Sequence, residues 1–259
     1  MKPHERIILP LDVSDIERAH RLVERLFLLV GIFKVGFEAI YSMMAQLLSP
    51  EGATEHLMGR IQSLAAKITP EKTFLDVKLS DIPNTVGNAV KALSALNVKM
   101  INIHASAGKD VIRTAAMNKG ESLLFGVTVL TSIDTSECVS IFGVEPEPKV
   151  LQLATMLADN GADGIICAPK EGLALRKNHD FDGLKIACPN IRPTYMMTPE
   201  ERARVKDDQD IDRQMTPGEA IRAGIDMLVI GRPITKPPAE VGSPADAAKR
   251  IAEEIAQTS

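Results

Sequence analysis

The residues best suited to chemistry lie in one stretch, residues 74–85. Asp76 and Lys78 interrupt an otherwise apolar strand at a spacing of two, which points both side chains to the same side of the strand. Asp81 follows on the next turn, and Pro83 suits the first position of a helix. A surface salt bridge would give the same spacing, but the flanking residues are too apolar for an open surface. We therefore interpret the stretch as an electrostatic device at the end of a strand.

The rest of the chain must supply the elements that position this stretch. Eight short apolar segments, each followed by a segment of helical periodicity, run along the 259 residues. Continuously apolar strands are typical of parallel sheets that are covered on both faces. Eight β/α units in this length predict an α/β fold of the (β/α)8 TIM barrel type, with a single domain over residues 1–259. The first strand is not followed by a glycine-rich phosphate fingerprint, which argues against an open doubly wound sheet.

Local signals predict where several elements begin and end. Capping boxes, in which Ser or Thr precedes an acidic residue by three positions, occur at residues 14–17, 216–219 and 243–246. We expect a helix to begin at each of them. The apolar run 123–130 predicts strand five, and the periodicity of residues 150–160 predicts a helix after it.

Composition excludes several classes of protein. Lys and Arg total 30 against 34 for Asp and Glu, and a net charge of -4 argues against a non-specific nucleic-acid binder. Cys138, Cys167 and Cys188 are far apart and odd in number, which matches neither a zinc site nor a disulfide framework and predicts a reducing compartment. The sequence has no signal-peptide hydrophobic region and no apolar run long enough to span a membrane. We therefore expect a cytoplasmic protein that binds neither nucleic acid nor membrane.

Polar residues from distant parts of the chain collect where the predicted strands end. In a TIM barrel the active site lies at the C-terminal ends of the strands. Convergence of this many polar residues on one rim is hard to attribute to chance, so we predict the active site there. The residues are Asp12, Lys34, Asp76, Lys78, Thr131, Ser132, Arg192, Gly231 and Arg232.

One part of this rim has the features of a phosphate site. Arg232 falls after strand eight, where such barrels commonly bind phosphate, and a guanidinium group forms bidentate bonds to phosphate oxygens. Gly231 allows close approach of the backbone. Arg192 could contact the same phosphate or simply cap the rim. The polar segment 193–215 is interpreted as a lid, and His104, which ends strand four without an obvious partner, as a packed rim histidine.

The motifs taken together resemble the orotidine 5′-phosphate decarboxylase family of the bacterial type. The core Asp76-x-Lys78-x-x-Asp81 is also shared with related sugar-phosphate decarboxylases and synthases, and the attached Ile-Pro-Asn-Thr makes the match more specific. The matching segments run in the family's order and span nearly the whole chain. They are residues 11–13, 33–36, 75–85, 127–132, 191–193 and 229–235.

The resemblance implies an activity and an assembly. The activity is cofactor-free loss of CO2 from orotidine 5′-monophosphate, which gives UMP in the last step of de novo pyrimidine biosynthesis, with no metal. The assembly is a homodimer with composite active sites at the subunit interface. Lys34, Asp76, Lys78 and the partner subunit's Asp81 would form an alternating charged network, in which Lys78 protonates C6 of the pyrimidine.

The resemblance also implies how the remaining substrate contacts are divided. Asp12 and Lys34 would contact the ribose, and Thr85 would reach it from the other subunit. The pyrimidine would meet Thr131 and Ser132. The phosphate would be held by Gln209, by Arg232 with Gly231, and by the backbone near Arg192.

Two departures from the family pattern concern the phosphate end. Asn190 stands where the family usually has glycine, and the interval from Arg192 to Gln209 is longer than in typical bacterial members. The first leaves the backbone of that loop open, and the second leaves the assignment of Gln209 open.

Two other functions account for part of the pattern. A metal-dependent sugar-phosphate synthase, epimerase or decarboxylase on the same barrel would explain the charged core and the phosphate site, but not the segment 82–85. A catalytically silent nucleotide-binding barrel would bind UMP without turnover. Simple binding, however, does not require alternating charges such as Asp76 and Lys78.

Overall fold

Eight parallel strands close into a barrel in which each strand pairs with its neighbours in sequence and the last pairs with the first. The computed structural model describes residues 1–49, 54–196 and 214–258. It confirms the predicted (β/α)8 architecture. The strands are β1 Ile7–Pro10, β2 Ile32–Val35, β3 Thr73–Leu79, β4 Met100–His104, β5 Leu123–Val127, β6 Gly164–Ile166, β7 Lys185–Cys188 and β8 Met227–Val229.

Helices surround the barrel and cover its outer face. Among the described residues, no helix is both long enough and hydrophobic enough to cross a bilayer. The helices are α1 Ile16–Leu26, α2 Phe37–Leu47, α3 Thr54–Ile68, α4 Pro83–Ser94, α5 Lys109–Asn118, α6 Thr135–Phe142, α7 Pro146–Asp159, α8 Pro169–Arg176, α9 Pro217–Arg222, α10 Arg232–Thr235 and α11 Pro244–Ala256.

The apolar core has an inner and an outer part. The outer part fills the space between strands and helices, and the inner part fills the barrel. Phe74 belongs to the inner part. Because side chains two apart on a strand share a face, Asp76 points into the barrel as well, one layer closer to the C-terminal rim. The buried residues of the inner part are Ile8, Ile32, Phe74, Met100, Phe125, Ala187 and Met227.

Helix starts follow the capping signals with one exception. The capping boxes predicted at the starts of α9 and α11 are confirmed. The predicted box at Ser14 was wrong by one residue. The carboxylate of Asp15 accepts a hydrogen bond from the backbone N–H of Glu17 at 2.9 Å, so Asp15 is the N-cap and α1 begins at Ile16.

Two element boundaries and one additional helix between β5 and α7 differ from the prediction. β5 ends at Val127, three residues early, because Val127 pairs with Ile166, the last residue of the neighbouring β6. α7 begins four residues early, at Pro146. α6 was not predicted, although Asp134 caps it by accepting a hydrogen bond from the backbone N–H of Glu137 at 2.8 Å.

Candidate active site

A cavity of about 690 Å³ opens among residues at the C-terminal ends of the strands. This is the end at which TIM barrels carry their active sites. Closure of the barrel brings polar side chains from both ends of the sequence to one wall. The predicted site residues that line the cavity are Asp12, Lys34, Asp76, Lys78, Thr131, Arg192, Gly231 and Arg232.

Four of these side chains form a connected set of ion pairs, which we call the charge network: Asp12, Lys34, Asp76 and Lys78. Asp76 lies between the two lysines, accepting from Lys78 Nζ through Oδ1 and from Lys34 Nζ through Oδ2, both at 2.6 Å. Lys34 Nζ also donates to Asp12 Oδ1 at 3.3 Å. The pairing of β2 with β3 sets Lys34 beside Phe74, one inward-facing position below Asp76. The charges therefore alternate in sign along the network.

The network shifts the pKa values of two of its members, Asp76 and Lys34. Burial would raise the pKa of Asp76, which is only 5 % exposed, but Lys34 and Lys78 outweigh it and hold that pKa below its ordinary value of 3.8. Burial would likewise lower the pKa of Lys34, but Asp76 and then Asp12 outweigh it and raise the pKa above 10.5. Both groups are charged at neutral pH.

Asn102 is a further member of the site that the sequence analysis missed. It lies in the middle of β4 and is fully buried. Its Nδ2 donates to Asp76 Oδ1 at 2.7 Å, and its Oδ1 accepts from the backbone N–H of Lys78 at 2.7 Å. The available signal was a single amide within the apolar run Met100–His104. Asp76 thus accepts three hydrogen bonds, two from lysines and one from an amide.

The backbone of β3 is irregular at the charge network. Leu75 pairs with Ile101 and Leu79 with Ile103, so three residues of β3 lie opposite the single residue 102 of β4. A bulge of this kind bends the strand and redirects its side chains. Lys78 ends the bulge with a φ of 42°, in the left-handed region that residues with a side chain rarely adopt.

Gly36 keeps the space beside the charge network open. A Cβ atom at this position would lie 3.1 Å from Lys34 Nζ and 3.4 Å from Asp12 Oδ1. The next residue, Phe37, opens α2 and places its ring centroid 5.2 Å from Lys78 Nζ, within the range of a cation–π contact. A side chain at residue 36 would therefore crowd the Lys34 ammonium group and touch Asp12.

The two arginines reach the cavity from the loops after β7 and β8. The backbone N–H of Arg192 donates to Met215 O at 3.0 Å, and its Nη1 donates to Ile191 O at 3.2 Å, which ties this loop to the segment before α9. Arg232 is the first residue of α10 and follows Gly231 directly. Two guanidinium groups in one cavity match the charge and the geometry of a phosphate group.

Asn190 resolves one of the departures noted in the sequence. It is buried, lines the cavity and has a φ of 63°. This is the left-handed region that glycine favours and that asparagine tolerates better than most residues. The loop at residue 190 therefore has a backbone that suits glycine, with an asparagine in its place.

Four predicted site residues lie outside the described lining of this cavity. Asp81 and Thr85 are exposed, and Asp81 lines a separate open groove between the start of α4 and residues 107–111. Ser132 is exposed beyond Thr131. Gln209 lies outside the described residues, as does much of the segment interpreted as a lid.

His104 stands at the end of β4, close to the charge network, and is half-buried. Burial and then the positive charge of Lys78 lower its pKa below 6.5, against the opposing influence of Asp76. The imidazole is therefore neutral at pH 7, in keeping with its interpretation as a packed rim residue.

Several known proteins are similar to this chain along nearly its whole length. A protein from Moorella thermoacetica named orotidine 5′-phosphate decarboxylase is 35 % identical over 98 % of this chain and 94 % of its own length. A protein of the same name from Vibrio parahaemolyticus is 36 % identical over 97 % of this chain and 98 % of its own. The crystal structure of orotidine 5′-phosphate decarboxylase from Lactobacillus acidophilus superposes with a TM-score of 0.71 at 28 % identity, covering 96 % of this chain and 98 % of the other.

The family model described as orotidine 5′-phosphate decarboxylase / HUMPS family matches residues 5–251, nearly the whole chain. The matched region includes every strand of the barrel and every residue of the charge network. By this match and by the identity to its relatives, the chain belongs to the orotidine 5′-phosphate decarboxylase / HUMPS family.

Proposed function

We propose that this chain decarboxylates orotidine 5′-monophosphate to UMP and CO2 without a cofactor, as the last step of de novo UMP biosynthesis. The observation that carries the proposal is the charge network, in which Asp76 holds two lysines at 2.6 Å beside a cavity that also contains two arginines. Family membership supports the substrate, since relatives that match nearly the whole chain carry the name of this activity.

Lys78 is the proposed catalytic acid. When the bond between C6 and the carboxylate breaks, CO2 leaves and the electron pair stays on C6 of the pyrimidine, which delocalises it poorly. An ammonium group already fixed at that position stabilises the developing charge without reorganisation. Lys78 Nζ then transfers a proton to C6, which gives UMP and a neutral amine that regains its proton from solvent.

Asp76 has two tasks in this proposal. It fixes both lysine ammonium groups, and its lowered pKa keeps it anionic throughout the working pH range. A negative charge beside the substrate carboxylate also disfavours the bound substrate relative to the state in which CO2 has left.

The remaining contacts supply binding energy and orientation. Arg232, Gln209 and the backbone near Arg192 hold the phosphate, and binding energy from this remote group is used at the reacting carbon. The other proposed contacts are Asp12 and Lys34 to the ribose, and Thr131 and Ser132 to the pyrimidine.

We further propose a cytoplasmic homodimer in which Asp81 and Thr85 of one subunit complete the active site of the other. Both residues are exposed, and Ile82 between them is 65 % exposed although it is apolar. An exposed apolar residue flanked by polar ones is typical of a contact surface. The end of one β3–α4 segment would then reach the neighbour's cavity.

Turnover of orotidine 5′-monophosphate, followed by loss of substrate absorbance, tests the proposal. The wild type is expected to react at the same rate with and without EDTA, and Lys78→Ala to lose at least about 10³-fold in kcat. The matched control is Lys119→Ala. Lys119 lies before β5, at the N-terminal end of the barrel, and its Nζ forms an ion pair with Asp163 at 2.9 Å. This variant should keep its kcat.

Each alternative outcome has a distinct meaning. Full activity of Lys78→Ala would contradict the role of Lys78, and an inactive wild type would contradict the function. Metal-dependent turnover of a pentulose or hexulose phosphate would indicate the related sugar-phosphate enzymes. Binding of UMP without turnover would indicate a silent nucleotide-binding barrel.

A further inference from the structure

We propose that Asn102 is a positioning residue that holds Asp76 and Lys78 in their relative places by bridging the bulge of β3. The inference rests on the proposed function, because it assigns a role in the same reaction. Asn102 itself does not face the reacting atoms, since it is fully buried behind Asp76 and does not line the described cavity.

The chemistry of the two partners fixes the orientation of the amide. The backbone N–H of Lys78 can only donate, so it takes the carbonyl oxygen of Asn102. The ionised carboxylate of Asp76 can only accept, so it takes the amide nitrogen. Among side chains of this size, only an amide offers one donor and one acceptor in a fixed plane. Aspartate would lose the donor, and leucine would lose both groups.

The bulge explains why a side chain is needed at this point. Three residues of β3 face residue 102, so the regular ladder of backbone hydrogen bonds is interrupted there. A buried N–H without a partner costs about 1 to 3 kcal/mol. The Asn102 carbonyl gives the N–H of Lys78 its partner and thereby holds that residue at its left-handed φ of 42°.

One amide therefore links the position of the acid to that of the carboxylate. The same side chain anchors the backbone of Lys78 and one oxygen of Asp76, and Lys78 Nζ donates to that same oxygen at 2.6 Å. Loss of the amide therefore removes one hydrogen bond from the backbone of Lys78 and one from the carboxylate of Asp76 at the same time. Misplacement of a reacting group by about 1 Å can cost about 100-fold in rate.

The expected signature is a loss of kcat with a shifted pH profile. Asn102→Ala should lower kcat about 100-fold and leave KM within about twofold, because ground-state contacts to phosphate and ribose are untouched. Removal of the donor also moves the acid limb of kcat to higher pH, because Asp76 ionises less readily without it. Among the described residues, the other charged or titratable groups around Asp76 are Lys34 on β2, Lys78 on β3, Asp12 after β1 and His104 on β4, and in the proposed dimer the partner subunit's Asp81 joins them.

The experiment compares Asn102→Ala and Asn102→Asp with Ser122→Ala. Ser122 is equally buried, and its hydroxyl donates to Val98 O at 2.7 Å before β5, away from the cavity. Ser122→Ala should lose stability while kcat and the pH profile stay unchanged. Asn102→Asp should show the larger shift of the acid limb, because it places a second carboxylate beside Asp76. Asn102→Ser replaces either variant if that variant does not fold.

A titration without turnover separates this inference from the proposed function. Carbon-13 NMR of the Asp76 carboxyl group should report a higher pKa in Asn102→Ala than in the wild type, whether or not either protein is active. An inactive wild type would overturn the function alone. An unchanged Asp76 titration, or a loss of kcat no greater than that of Ser122→Ala, would overturn the role of Asn102.

Discussion

The stretch from residue 74 to residue 85 has two halves with opposite environments. In the inner half, Asp76 is 5 % exposed and accepts three hydrogen bonds from Lys34, Lys78 and Asn102. In the outer half, Asp81 is exposed, and its Oδ1 accepts from the backbone N–H of Ile82 at 2.6 Å. Two acids five positions apart therefore differ in burial and in hydrogen-bond partners.

The difference teaches how one segment can serve two sites. The inner acid has a completed set of partners within its own chain, so folding of that chain alone defines its geometry. The outer acid stands in an open groove, and a role in catalysis requires that a second subunit approach it. A local charge pattern in the sequence does not distinguish these two situations, whereas burial and partners do.

The largest expected effect is a difference in the free energy of unfolding between variants of Asp76 and of Asp81. Asp76→Asn should lower the free energy of unfolding by about 3 kcal/mol, because it leaves buried lysine charges uncompensated. Asp81→Asn should change it by no more than about 0.5 kcal/mol, since its side chain is exposed. Each should lower kcat at least about 100-fold. Denaturant unfolding measures the stability of each variant, and turnover of orotidine 5′-monophosphate measures its kcat. Equal losses of stability would contradict the predicted difference between Asp76 and Asp81.

The second prediction concerns ligand binding in the cavity that contains Asp76, and not the groove that contains Asp81. Arg232→Ala should lower the affinity for UMP about 100-fold, as expected for loss of charge-assisted hydrogen bonds to phosphate. The affinity for uridine, which has no phosphate, should stay the same. Titration calorimetry with both ligands makes the comparison, and an equal loss for both would show that Arg232 acts on the fold of the cavity rather than on phosphate.

Mixing of inactive variants tests the division between subunits. Random exchange of Lys78→Ala with Asp81→Ala gives dimers of which half are mixed, and each mixed dimer holds one intact site, so about a quarter of wild-type activity should return. Lys78→Ala mixed with Arg232→Ala is the matched control, because both residues line the same cavity of one chain. No recovery in the first mixture, after subunit exchange is verified, would place Asp81 outside the neighbour's site.

The smallest effect is the pH dependence of the stability that Asp76 contributes. The pKa of Asp76 is lowered, so its contribution is present above pH 3.8 and is lost as pH falls through the folded-state pKa. The pKa of Lys34 is raised, so its contribution is present below pH 10.5 and is lost as pH rises through its folded-state pKa. The difference in unfolding free energy between wild type and Asp76→Asn should be constant from about pH 5 to about pH 9. It should become smaller outside that range. A difference that is still flat at about pH 2 would contradict it.

The sequence predicted the architecture and most of the cavity. Strand order and rim positions follow from apolar periodicity and from the rule that TIM-barrel sites lie at the C-terminal ends of strands. The placement of Asp76 and Lys78 on one side of β3 follows from the two-residue period of side chains along a strand. The predicted barrel is confirmed because apolar periodicity is a local pattern that every barrel of this class repeats, whereas the roles of the residues that line the cavity stay predictions.

Two of the features that the sequence did not predict depend on a partner strand. Asn102 was not identified from the sequence, because the bulge opposite it contains neither glycine nor proline, the residues that commonly mark such an irregularity. β5 ended early because β6 is short, although Val129 and Leu130 remain apolar. In both cases the deciding contact lies more than 20 positions away in the sequence.

The left-handed backbone of Lys78 sets folding against catalysis at one residue. A left-handed conformation costs a residue with a side chain about 1 to 2 kcal/mol that glycine does not lose. Lys78→Gly would relax the backbone and remove the ammonium group in the same step. The gain in backbone freedom is offset because the variant leaves the buried Asp76 carboxylate with one lysine partner instead of two, so the strained backbone and the ion pair are kept or lost together.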